Sequence, residues 1–128
     1  MSLSQDDVLK YKKLYVQTAK NYLENMQLNI SYLLKGEQIQ EAIKQVHIDA
    51  HSLKSQSQMM GYDNFSKISE IIEFLFNRDE KENIQVPNEV LIKIQSDISR
   101  LMDSLVEIEN NGKEIDLADR IVELEKLK

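Results

Sequence analysis

Apolar residues recur along this chain every three or four positions, in long stretches separated by few chain-breakers. Between about Ser4 and Lys35, the residues Val8, Tyr11, Tyr15, Ala19, Tyr22, Met26, Ile30 and Leu33 share one face of a helix. Ser4 is placed to cap that helix, Asp6 and Asp7 lie in its electropositive first turn, and Gly36 stops it. From about Glu37 to Met60, the residues Ile39, Ile43, Val46, Ala50, Leu53, Ser57 and Met60 form an unbroken stripe that Gly61 ends. Phe65, Ile68, Ile72 and Leu75 or Phe76 mark the inner face of a third helix, from about Asp63 to Arg78, with Asp63 as its cap. The polar run from Asn77 to Gln85 reads as a loop. Pro87 then opens a fourth helix, to about residue 109, near the first helical position, where its missing N–H costs nothing. Leu91, Ile94, Ile98, Leu101, Leu105 and Ile108 keep its seam, and Asn110-Asn111-Gly112 breaks it. A weaker fifth segment, about 115–127, sets Leu117, Ile121 and Leu124 on one side.

No run alternates with period two for long enough to make a strand. The pattern therefore predicts an all-α domain over residues 1–128: an antiparallel up-down four-helix bundle with an additional C-terminal helix on one end or side. Met1-Ser2-Leu3 reads as a cloning leader rather than a signal peptide, having neither the basic nor the apolar region of one. The end, Glu125-Lys126-Leu127-Lys128, stops in mid-pattern, as an excised fragment would.

Composition narrows the functions open to such a bundle. There are only 3 Gly and 1 Pro in 128 residues, too few for a sandwich or barrel with frequent turns, and no glycine-rich loop that could cradle a nucleotide. With no Cys, thiolate metal sites and cysteine nucleophiles are excluded, and a cytoplasmic setting is expected. The net charge of −6 repels phosphate backbones, so no nucleic-acid partner is expected. No apolar run approaches the roughly 18 residues of a membrane span, so no direct membrane contact is expected.

The second helix holds the candidate chemistry. It carries both histidines, His47 and His51, followed by the polar stretch Ser52-Leu53-Lys54-Ser55-Gln56-Ser57-Gln58. Serine is an indifferent helix former, so three in six positions suggest that room is kept beside something. His51 lies about 100° around from the seam residue Ala50, with its base held by the bundle and its tip in water. Lys54 and Ser55, three and four residues on, share that face. A histidine with a lysine one turn away and little bulk between them suits a phosphorylated imidazole, with Lys54 offsetting the phosphoryl charge and Ser55 leaving space for a docking partner. His47 and His51 also have a chelating spacing, but Asp49 points about 200° from His47, so no metal site is expected. His47 is read as a surface neighbour that tunes the charge near His51. Met60 and the tyrosines at 11, 15 and 22 are read as core or boundary, and Met59 is left open.

The stretch Ala50-His51-Ser52-Leu53-Lys54-Ser55, with Gly61, resembles the signature of histidine phosphotransfer (HPt) domains: His-x-Leu-Lys-Gly and a glycine ten positions after the histidine. Ala50 to Phe76 is most similar to the N-terminal phosphotransfer domain of CheA-type chemotaxis kinases. Tyr15 to Leu23 resembles the first helix of that domain and Val86 to Leu91 the start of its fourth, so the likeness covers roughly residues 5–110.

The resemblance implies that His51 is the phosphoacceptor, Lys54 the family lysine and Gly61 the closing glycine. It also implies that Glu73, which flanks the Ile72 seam position, hydrogen-bonds the reactive ring from the third helix. Nδ1–H of His51 would donate to Glu73, leaving the Nε2 lone pair free to attack phosphorus. Two departures stand out. Ser55 replaces the usual Gly, and Glu70 stands where many such domains carry a second histidine. Glu70 would either raise the basicity of His51 or face solvent. The domain itself is expected to hold no cofactor, with ATP and Mg²⁺ supplied by the partners: a histidine kinase catalytic domain as donor and a response-regulator receiver domain as acceptor. A freestanding phosphorelay carrier and a non-catalytic helical interaction module are the alternatives. A monomer is expected.

Overall fold

A computed structural model describes residues 4–82 and 85–128, and the side chains of all of these except 78–82. The proposed leader, residues 1–3, lies outside them. Five helices follow one another: α1 (Gln5–Lys35), α2 (Ile39–Met60), α3 (Asp63–Glu82), α4 (Asn88–Asn111) and α5 (Ala118–Glu125). No strand occurs among the described residues. Ser4 Oγ accepts the Asp7 N–H at 3.1 Å, the first-turn cap expected of it. Gly36, Gly61 and Gly112 each take a left-handed conformation and end α1, α2 and α4.

The boundaries of four helices differ from expectation. α3 continues to Glu82, through residues read as a loop. The run Arg78-Asp79-Glu80-Lys81-Glu82 is polar but contains no Gly or Pro and several good helix formers, so its polarity did not mark a break. α2 begins at Ile39, because Gln38 takes a left-handed conformation (φ 48°). Pro87 stands at the cap of α4, one residue before the helix, and α4 continues to Asn111. α5 begins only at Ala118 and ends at Glu125. The residues before it are drawn out of helix: the Ile115 N–H donates to Ser104 Oγ (2.8 Å) and the Leu117 N–H to Asn64 Oδ1 (3.1 Å).

The bundle is built on α1. It packs against α2 and α4, while α2 packs against α3 most extensively of all. α3 and α4 touch only sparingly, and α5 lies along α3. One core joins Leu23, Met26, Leu53, Phe65, Ile72, Phe76, Ile94 and Leu101 to Leu117 and Leu124 of the C-terminal segment. Val8 and Tyr11, at the head of the apolar stripe of α1, are half exposed (50% and 49%). The reason is length. α1 has 31 residues and α2 has 22, so α1 is longer by about 13 Å at 1.5 Å per residue. Tyr15 already meets Ser57, close to the end of α2, so the turns before it run past their neighbour. Leu23, which the stripe of α1 left out, is fully buried.

Candidate functional site

α2 and α3 run antiparallel across the Gly61 turn, which brings the middle of one beside the middle of the other. Ala50 and Ser57 on α2 and Ser66 and Ser69 on α3 are small and buried.

Three of the expected site residues meet there. Nδ1 of His51 is hydrogen-bonded to Oε2 of Glu73, and Nζ of Lys54 donates to Oε1 of the same carboxylate at 2.7 Å. The His51 side chain is 60% exposed and that of Glu73 only 16%. A half-buried anion thus holds one edge of an exposed ring. Burial works to raise the Glu73 pKa, but the hydrogen bonds and charges of Lys54 and His51 outweigh it and hold the carboxyl below its ordinary value. Glu73 therefore stays ionised and accepts from both neighbours. With Nδ1 facing Glu73, the ring's other nitrogen, Nε2, is left away from the carboxylate, and that tautomer presents a lone pair.

The remaining candidates sit around this core. Lys54, expected to offset the charge of a phosphoryl group, donates its ammonium to Glu73. Ser52 and Ser55 are half-buried beside the ring, which keeps the face of α2 low there. Glu70 is half-buried and makes no hydrogen bond to His51. His47 is half-buried one turn before His51, and Gly61 ends the helix rather than touching the ring. No group of three or more His, Cys, Asp or Glu forms a candidate metal site among the described residues.

Two polar arrangements nearby were not legible in advance. The buried Asp49 accepts from Asn25 Nδ2 (2.6 Å) and Gln45 Nε2 (3.2 Å), tying α2 to α1; burial pushes its pKa up, with these bonds opposing. Tyr15 Oη and Ser57 Oγ, both buried, share a hydrogen bond of 2.7 Å, and the Tyr15 ring packs on Tyr62 and Phe65. Both depend on which faces of two helices meet, which one sequence does not state.

The sequence profile of the Hpt domain matches residues 10–126, nearly the whole chain. The chain belongs to the Hpt domain family, whose members transfer phosphoryl groups through histidine in two-component signalling. No solved structure matches it. No described helix is long and apolar enough to cross a membrane.

Proposed function

We propose that His51 is the phosphoacceptor, that a CheA-like kinase ATP-binding domain loads it, and that a receiver-domain aspartate unloads it. The observation that carries this reading is the contact between His51 Nδ1 and the ionised Glu73 on an otherwise exposed ring. In the first transfer, Nε2 attacks the γ-phosphorus of ATP. The Nε2–P bond forms as the P–O bond to ADP breaks, and the ring keeps its Nδ1 proton. The ring becomes a cation in this step, and the Glu73 carboxylate offsets that charge. Lys54 keeps Glu73 from taking the proton by holding its pKa down. In the second transfer the aspartate oxygen attacks phosphorus, the Nε2–P bond breaks, and its electron pair returns to Nε2.

ATP and Mg²⁺ belong to the partners in this reading, and the bundle contributes position. Beside the reactive helix an apolar groove of about 280 Å³ runs between α1 and α2, lined by Tyr11, Leu14, Thr18, Gln56, Met59 and Met60. Met59, 87% exposed, stands at its rim, and a receiver domain would seat there. Both transfers take place in the cytoplasm in this reading.

The test is incubation with a kinase catalytic core and labelled ATP. Acid-labile, base-stable phosphate on the wild-type protein, absent from His51→Gln, is expected. No label on the wild type, or equal label on His51→Gln, would leave a helical interaction module as the better description. Labelling only by a receiver domain run in reverse, and never by a kinase core, would identify a freestanding relay carrier.

A further inference from the structure

We propose that Glu114 is a positioning residue for the His51–Glu73 pair, acting through the start of α3. The inference rests on the role given above to that pair.

α3 carries Glu73, and its first turn is held from outside. Glu114, in the segment between α4 and α5, accepts the Asn64 N–H on Oε1 (3.0 Å) and the Phe65 N–H on Oε2 (3.3 Å). These are orphan donors at a helix N-terminus, where a carboxylate is also favoured by the helix dipole. The link is reciprocal, since Asn64 Oδ1 accepts the Leu117 N–H at 3.1 Å. The strap between residues 113 and 117 is in turn fixed to α4. The Ile115 N–H donates to the buried Ser104 Oγ, and Arg120 reaches Asp97 at 2.8 Å and Ser96 at 3.1 Å. Leu117 and Leu124 are buried in the common core.

α3 and α4 make little direct contact. The strap therefore adds a direct link between them, and it grips α3 at its end. Glu73 lies nine residues beyond Asn64, about 14 Å along the helix. A helix is stiff over that length, so a small slide or rotation at its start is carried to Glu73. Hydrogen bonds weaken steeply with misalignment, and a shift of about 1 Å at a reacting group can cost about a hundredfold in rate. Glu114 touches neither His51 nor Glu73; its effect is through α3.

Glu114→Ala, Glu114→Gln and Glu73→Ala, with the double variant Glu114→Ala/Glu73→Ala, separate positioning from general stability. The readouts are the tautomer of His51 from its ring ¹⁵N shifts and the initial rate of labelling by a kinase core, both well below the melting temperature. Glu114→Ala is expected to lose the single Nδ1–H tautomer for a mixture and to label about tenfold more slowly. Glu114→Gln, which keeps one acceptor oxygen, should fall between. On the Glu73→Ala background, Glu114→Ala should change neither readout further. A wild-type tautomer in Glu114→Ala overturns the proposal, whatever its melting temperature. So does an effect that persists undiminished without Glu73. Should Glu114→Ala not fold, Glu114→Gln decides by the same criteria. Absence of label on the wild-type protein would sink the phosphotransfer reading, while the tautomer comparison would still decide this one.

Discussion

The Glu73 carboxylate faces Lys54 across the α2–α3 interface, its Oε1 2.7 Å from the ammonium, while its other oxygen holds the ring of His51. One anion therefore serves two cation-capable neighbours that are three residues apart on the same helix. Removing it should do more than removing Lys54. Glu73→Ala is expected to slow labelling of His51 by roughly thirtyfold, about 2 kcal/mol of barrier, with the fold intact by circular dichroism. An unchanged rate would remove Glu73 from the mechanism.

Lys54 bonds Glu73, so on the proposed reading, in which it acts through that carboxylate, its loss should be milder. Lys54→Met is expected to slow labelling roughly fivefold, about 1 kcal/mol. It should also raise the Glu73 pKa, which a carboxyl ¹³C titration would read. A slower rate without that rise would mean that Lys54 meets the phosphoryl group instead.

The depressed Glu73 pKa also fixes a pH dependence. Its folded value lies below the ordinary 4.5, so the ionised group stabilises the fold above the unfolded value. That contribution is lost as pH falls from about 4.5 through the lower folded pKa. The gap in melting temperature between wild type and Glu73→Gln should be full at neutral pH and closed in strong acid. A gap that grew on acidification would contradict the ion-pair account.

Much of this site was readable from the sequence because helical periodicity is a local property. Spacing put Lys54 on the face of His51, the family resemblance singled out Glu73 at the edge of the α3 seam, and the structure joins all three. What spacing could not supply was pairing. Glu114 lies 50 residues from the Asn64 N–H it caps, and Arg120 lies 23 from Asp97. Neither separation carries a periodic signal. Periodicity also could not tell that Val8 and Tyr11 end half exposed, because it reports a face and not whether a neighbour is long enough to cover it.

The buried pair of Tyr15 and Ser57 offers a test of packing independent of chemistry. Each hydroxyl has the other as partner at 2.7 Å, and burial, opposed by that bond, pushes the phenol pKa up. Tyr15→Phe strands the Ser57 hydroxyl and should cost about 1–2 kcal/mol. Adding Ser57→Ala removes the orphan, so the double variant should lose less than the sum of the singles in urea melts. Ser69 offers the converse case. Its Oγ is buried without a hydrogen-bond partner among the described residues, and Ser69→Ala should be neutral or stabilising by up to about 1 kcal/mol. A destabilisation would mean that the hydroxyl has a bound water.

Asp97 is fully buried on α4, with Arg120 of α5 at 2.8 Å and Lys93 one turn away at 3.7 Å. A carboxylate with no exposure must keep a close cation, and Lys93 is too distant for a good hydrogen bond. Arg120→Met should therefore destabilise the domain by about 2–3 kcal/mol, more than an exposed ion pair could explain. Asp97→Asn in the same background removes the stranded charge and should recover part of the loss. Because Arg120 also pins the helix that follows the strap, amide exchange in α5 should rise well before exchange in α1 or α2. Uniform loss of protection across all five helices would show that α5 unfolds only with the whole bundle, and that the Arg120–Asp97 bond is not a separable latch.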